Sequence, residues 1–358
     1  MIATVTLNPS LDEWVELPVL RLGRLNRATR CARYPGGKGI NVSRVVHELG
    51  GRTVAFALAG GEDGAILSHW LHGLRLQHEF VTVAGSTRNN YKILAGGMLT
   101  EINTAGPTTS ASALRALRRR LLRRPLPRCV VLSGSLPPGA PASSYRDWIR
   151  ALTRLRIPTV LDASGAALRL GITARPWLIK PNREEVEEFL GRRVSSLDAA
   201  ADAVRALLRH GPRVVVLSMG KDGAVLGAAG LPGLWFARPP SVRSQSAVGA
   251  GDSLVGGVVT AWAKGAGLLE AFRWGMACGA ATAMAPGTEL CRRREVERLV
   301  PRVTLRRVGA QEQAAVATGR GCPVQVPGWD CPARAAAAPR TGRPSPSSRP
   351  ARRVGRSR

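Results

Sequence analysis

Short runs of aliphatic and β-branched residues recur along this chain, and a helix-like stretch separates nearly every pair of them. The runs at residues 2–7 (IATVTL), 54–59, 79–83, 130–133 (VVLS), 159–162, 178–180 and 214–218 (VVVLS) read as strands. Residues 40–49, 63–74, 143–155, 183–190, 197–210, 252–265 and 268–285 read as helices. A strand that is apolar on both faces must be covered on both faces. Such strands alternating with helices belong to a parallel sheet between helical layers. The expected class is therefore α/β, a three-layer α/β/α sandwich with a mostly parallel central sheet. Ligands in such folds bind beyond the carboxyl ends of the strands, so the residues just after each run carry the interest.

One segment breaks the alternation. Residues 90–102 (NYKILAGGMLTEI) read as two short strands around Gly96-Gly97. With residues 11–34 they are expected to form a small separate sheet over the site. Beyond about Gly309 the pattern stops, and residues 311–358 are rich in Arg, Pro and Ala. That composition cannot build a core and reads as a disordered tail, which leaves residues 1–310 as the folded domain. The chain of 358 residues, 44% hydrophobic and 21% charged, is too ordinary in composition for wholesale disorder. No apolar run reaches the roughly 20 residues of a membrane helix. The start lacks a basic segment followed by an apolar one, so a cytoplasmic protein is expected.

Fifty-two Lys and Arg against 24 Asp and Glu give a formal charge of +28. Such an excess raises the question of nucleic acid. Most of it is Arg, in a chain also rich in Ala, Gly and Pro, and aromatics make up only 4%. Base-stacking platforms are scarce. Nucleic acid is expected at most through the tail, and the basic run at 115–128 reads as a solvated helix face. The six cysteines (Cys31, Cys129, Cys278, Cys291, Cys322, Cys331) show no metal-ligand spacing. Free thiols are expected.

Four motifs carry chemistry. Val248-Gly249-Ala250-Gly251-Asp252-Ser253 directly precedes a helix. Small residues there let backbone N–H groups converge into an anion hole. An Asp repels phosphate but suits accepting a proton from an attacking hydroxyl, although a helix cap is the simpler reading of it. Pro35-Gly36-Gly37-Lys38-Gly39-Ile40-Asn41 offers close backbone approach, a cation and an amide, and is not a Walker A loop. Lys180-Pro181-Asn182-Arg183-Glu184-Glu185 places Asn182 and Glu185 on one helix face. An amide and a carboxylate suit hydrated Mg²⁺, and a capped first turn is the alternative. Ser218-Met219-Gly220-Lys221-Asp222-Gly223 is a polar turn that could hold nucleotide phosphates or close a hairpin.

In order along the chain, TLNPSLD, GGKGINVS, TRNNYKI, SGSLPPG, KPNREE, SMGKDG, VGAGDS and PGTEL resemble the ribokinase-like PfkB family of sugar kinases over residues 1–308. They are most similar to its phosphosugar branch, whose acceptors are fructose 1-phosphate, tagatose 6-phosphate and fructose 6-phosphate, and to the kinases of the first above all. The resemblance implies a ribokinase-like fold with a β-sheet lid from about 11–34 and 88–103, often a homodimer interface, whose closure excludes water. It implies ATP and Mg²⁺ as cofactors. It makes Asp252 the general base, with Gly249, Ala250 and Gly251 stabilising the transferred phosphoryl group. Lys180, Asn182, Ser218, Gly220 and Gly223 would border the nucleotide, and Asn182 and Glu185 would organise Mg²⁺ through water. Asp12, Gly37 and Asn41 would hold acceptor hydroxyls. Lys38 and Arg88, assisted by Asn90 and Ser135, would grip the phosphate already on the sugar. Paired cations argue against an unphosphorylated sugar or nucleoside as acceptor. A third reading keeps the fold without turnover, as a regulatory protein binding sugar phosphate or nucleic acid, and the intact Asp252 turn argues against it.

Overall fold

The computed structural model describes residues 1–309. The expected tail at 311–358, with Cys322 and Cys331, lies outside the described residues. The chain begins with β1 (Ile2–Thr6), β2 (Ser10–Leu17), β3 (Arg30–Gly36), α1 (Lys38–Glu48), β4 (Thr53–Ala59), α2 (Gly61–Gly73), β5 (His78–Thr82), β6 (Arg88–Ala95) and β7 (Met98–Asn103). It continues through α3 (Ala111–Leu121), β8 (Cys129–Ser133), α4 (Ser144–Arg154), β9 (Thr159–Asp162), α5 (Gly165–Ile172), β10 (Leu178–Ile179), α6 (Arg183–Leu190) and α7 (Leu197–Arg209). It closes with β11 (Val214–Ser218), β12 (Ala224–Ala228), β13 (Trp235–Arg238), α8 (Ala250–Ala263), α9 (Leu268–Met284), α10 (Arg293–Leu299) and β14 (Thr304–Arg307).

Ten strands form the main sheet in the order β14-β13-β12-β11-β10-β9-β8-β1-β4-β5. From β11 to β5 every pairing is parallel, and β12, β13 and β14 add an antiparallel edge. Period-2 geometry divides each central strand between two cores. Cys129 and Val131 of β8 face the core with α1, α8, α9 and α10, while Val130 and Leu132 face the core with α3, α4, α5 and α7. β11 repeats this, with Val214 and Val216 on one side and Val215 and Leu217 on the other. Both faces are covered, as the run composition requires. The second sheet, β3-β2-β6-β7, stands apart.

The sheet departs from the sequence reading at its edge. The antiparallel strands β13 and β14 and the short helices α5 and α10 were not expected, and β12 corresponds to the hairpin alternative at residues 218–223. β14 reads TLRR and is half exposed, so it lacks the apolar signal of a buried strand. The basic run is helical only to Leu121, and Pro125 and Pro127 follow. Among the described residues Cys31, Cys129, Cys278 and Cys291 are free thiols, and no helix is long and apolar enough to cross a membrane.

Candidate active site

The site forms where β1, β8, β9, β10 and β11 end and where α1 and α8 begin. Gly249 caps α8 in the left-handed region, φ 78°, and a Cβ there would lie 2.8 Å from Leu290. Only glycine fits both demands. The turn aims Asp252 into the protein, where its side chain is buried and its Oδ2 accepts from Asn41 Nδ2 at 2.9 Å. Burial, reinforced by the negative charge of Asp162, pushes the Asp252 carboxyl up to about 7, although Lys38, Asn41 and Lys180 pull the other way. The Ala250 N–H closes onto the Ala247 carbonyl at 3.2 Å, a long bond that a ligand can compete with.

Asp162 was missed by the sequence reading. It is the last residue of β9 and fully buried, and its Oδ1 lies 3.4 Å from Lys38 Nζ and 3.3 Å from Lys180 Nζ. Ser133 Oγ donates to its other oxygen at 3.2 Å. Burial opposes its ionisation, but the ammonium groups of Lys180 and Lys38 outweigh it and hold the carboxyl below its usual range. The same carboxylate, more than any other group, holds the Lys38 ammonium protonated. Lys38 thus stands with Asp162 and with Glu185 at 3.8 Å. Arg88 is held elsewhere, by the Thr104 and Asn8 carbonyls at 2.9 and 3.2 Å. The sequence signal for Asp162 was present, an acid closing an apolar strand at the sheet's ligand-binding end, but nothing singled it out among other acids.

Asn182 and Glu185 form a capping box on α6. Asn182 Oδ1 accepts from the Glu185 N–H at 2.7 Å, and Glu185 Oε2 accepts from the Asn182 N–H at 2.9 Å. Burial raises the Glu185 carboxyl above its usual range, and Lys38 partly offsets this. Asn182 is occupied in the cap, and Glu185 Oε1 lies outside it, 3.8 Å from Lys38 Nζ. Among the described residues no three His, Cys, Asp or Glu side chains gather to cage a metal. A single carboxylate oxygen outside the cap suits a hydrated Mg²⁺ reached through water rather than a direct cage. Ser218 lies next in line, bridged to Asn182. Gly220 and Gly223 begin and end the tight turn between β11 and β12, so the polar turn does close a hairpin.

The small sheet supplies the other wall. Asp12 on β2 is buried, and its Oδ1 accepts from Ser10 Oγ at 2.9 Å and from Asn90 Nδ2 at 3.3 Å. Burial raises its carboxyl above the usual range. Gly36 passes so close that a Cβ would sit 2.6 Å from Asp12 Oδ1. Gly37 follows as the cap of α1. Ser135 Oγ accepts from Asn8 Nδ2 at 3.2 Å. Asn8, Arg88, Thr104 and Ser135 line an open cleft of about 600 Å³, and Asp252 lies outside its walls. Among the described residues, Arg88 Nε, Asn8 Oδ1, Asn89 Oδ1 and Asn90 Oδ1 are buried without a hydrogen-bond partner. Buried polar groups are normally satisfied, so this wall is shaped for a polar ligand.

Residues 6–294 match the pattern of the pfkB family carbohydrate kinases. The chain belongs to this family. It is a phosphotransferase that moves a phosphoryl group onto a carbohydrate hydroxyl. A 1-phosphofructokinase of Bacillus subtilis is 37% identical over 308 residues, covering 86% of this chain and all of that one. A 1-phosphofructokinase of Escherichia coli K12 is 36% identical over 261 residues, covering 72% of this chain and 83% of that one. The Escherichia coli phosphofructokinase-2 structure with substrates and products superposes with a TM-score of 0.79 at 31% identity, covering 84% and 98% of the two chains. A Thermotoga maritima ribokinase, at 18% identity and a TM-score of 0.69 over 84% and 99% of the two chains, shares the fold, which is ribokinase-like as expected.

Proposed function

We propose that this kinase is a 1-phosphofructokinase, transferring the γ-phosphoryl group of ATP to fructose 1-phosphate and releasing fructose 1,6-bisphosphate and ADP. The observation that carries the reading is the 37% identity spanning the whole Bacillus subtilis 1-phosphofructokinase. Asp252 takes the proton from the attacking hydroxyl. Its carboxyl near 7 suits a base that must accept a proton at neutral pH and later release it. The N–H groups of Gly249, Ala250 and Gly251 stabilise charge on the moving phosphoryl group. Lys38 and Lys180, fixed by Asp162, supply positive charge to the phosphates at the reaction centre. Arg88, with Asn90 and Ser135, binds the phosphate already on the sugar, and Asp12 and Gly37 border its hydroxyls. Ser218, Gly220 and Gly223 border the ATP phosphates. Bound Mg²⁺, held through water by Glu185 with Asn182 behind it, would neutralise phosphate charge.

This reading takes residues 1–310 as the kinase unit and the small sheet as its lid. Met98 and Ile102 of the lid are exposed, which supports a second copy covering that face. Cytoplasmic location belongs to the same reading. Fructose 6-phosphate is the second acceptor to consider, because the phosphofructokinase-2 of Escherichia coli was solved in complex with it and has this fold. An assay of ADP release with Mg²⁺ across fructose 1-phosphate, fructose 6-phosphate, tagatose 6-phosphate, fructose and ribose tests this. Preference for fructose 1-phosphate is expected. Turnover of an unphosphorylated sugar alone would overturn the role of Arg88.

A further inference from the structure

We infer that Arg44 is a positioning residue that acts through Asn41 on Asp252. Asn41 and Arg44 stand three residues apart on α1 and share one face of it. Arg44 Nη1 donates to Asn41 Oδ1 at 3.2 Å and to the Pro35 carbonyl of β3 at 3.1 Å. Asn41 Nδ2 in turn donates to Asp252 Oδ2 at 2.9 Å. The relay has a direction imposed by chemistry. A guanidinium only donates and a carboxylate only accepts. The Asn41 amide satisfies both neighbours in one orientation alone, with its oxygen toward Arg44 and its nitrogen toward Asp252. Turned over, it would set N–H against N–H on one side and oxygen against carboxylate on the other.

The consequence for the base is specific. An amide N–H pointing at Asp252 favours the ionised carboxylate and holds its other oxygen in place for the hydroxyl. Without the guanidinium the amide is free to turn, and its oxygen then accepts from a protonated Asp252, which cannot act as base. Asp252 also faces Asp162, Lys38 and Lys180, and Arg44 faces Asp12, Glu289 and Arg292. None of these groups fixes which end of the Asn41 amide meets the base. The Pro35 bond ties Arg44 to the small sheet, so the base is oriented from the wall that holds the acceptor.

The inference rests on the reading of Asp252 as base. The test is a double-mutant cycle in the full-length enzyme, with Arg44→Met and Asn41→Leu measured singly and together. Arg44→Met alone should lower kcat about tenfold, within the range of couplings between contacting groups, and leave KM for both substrates within about twofold. In the Asn41→Leu background it should cost almost nothing further. Arg44→Lys, which keeps one donor, should restore most of kcat, and thermal melts of each variant report whether it is folded. Equal loss in both backgrounds would overturn the relay and leave Arg44 a structural link between α1 and β3. A failure of Arg44→Lys to rescue, in a folded protein, would overturn it as well. Wild-type turnover by Asp252→Asn would instead overturn the base itself, a distinct outcome.

Discussion

Around Asp252 each buried carboxylate has a hydrogen-bond or ion-pair partner within the protein. Asp162 is held by two lysines and a serine hydroxyl, Asp252 by Asn41, and Glu185 by the cap of its own helix. Around Arg88 the matching is incomplete, and among the described residues Arg88 Nε, Asn8 Oδ1, Asn89 Oδ1 and Asn90 Oδ1 are buried without partners. The first group sits at the ends of the parallel sheet and in the first turns of α1, α6 and α8, the second where a separate four-stranded sheet meets it. The difference teaches a division of labour. A network complete before ligand arrives stabilises the transition state without reorganising, so damage to it falls on kcat. A wall that only a ligand completes contributes binding, so damage to it falls on KM.

The largest effect expected from breaking the first group is that of Asp252→Asn. Loss of a general base costs roughly 10² to 10⁴ in rate, and kcat should fall by about that factor while ATP still binds in a calorimetric titration. In the wild type, kcat/KM should decline below about pH 7, as a proton occupies the base. Asp162→Asn comes next. Removing one partner of a buried charge cluster costs about 3 kcal/mol or more of stability, so the melting temperature should drop. The sign of its pH effect follows from charge. The Asp162 carboxylate raises the Asp252 carboxyl, and its loss lets that carboxyl fall. The acid limb should therefore move to lower pH. A limb that stays in place would assign it to another group.

The parts of this arrangement that were legible in the sequence are those where local pattern and tertiary role agree. β9 and β11 fall where their apolar runs do, and α6 starts at the Asn182 cap that its sequence advertises. Asp252 was legible because glycine at a left-handed position leaves a mark that other residues cannot imitate. Asp162 and Arg44 were not. Asp162 is an ordinary residue type whose meaning comes from neighbours far along the chain, Lys38 being 124 residues away, and Arg44 is one arginine among many, whose bonds to Asn41 and Pro35 depend on how α1 meets β3. Lys38 shows the limit most clearly. Its motif announced a cation near phosphate, and the structure adds what the motif could not show, the carboxylates of Asp162 and Glu185 that hold it. The strand β14 escaped because a half-exposed edge strand needs little apolar surface, and β13 because it is only four residues long.

Arg88→Ala should break the second group in the opposite sense to Asp252→Asn. A hydrogen bond to a charged group contributes about 1.5–3 kcal/mol, so KM for the phosphosugar should rise roughly tenfold or more. kcat and KM for ATP should change little. If ATP affinity fell alone, Arg88 would belong to the donor side, and the division between the two walls would have to be redrawn.

The smallest effect is also the most direct reading of the contrast, because it needs no substitution. Fructose 1-phosphate without nucleotide should complete the acceptor wall and leave the donor wall as it was. Ligand at a hundredfold excess over its Kd stabilises the protein by about 2.7 kcal/mol. Hydrogen exchange then shows where that stability goes. Amides of β6, which carries Arg88 and Asn90, should slow, while those of the first turn of α8 around Asp252 should keep their rates. Slowing confined to α8 would mean that the sugar phosphate binds on the chemical side. Equal slowing in both would mean that Arg44, reaching from α1 to Pro35, couples the walls strongly enough that neither is finished without the other.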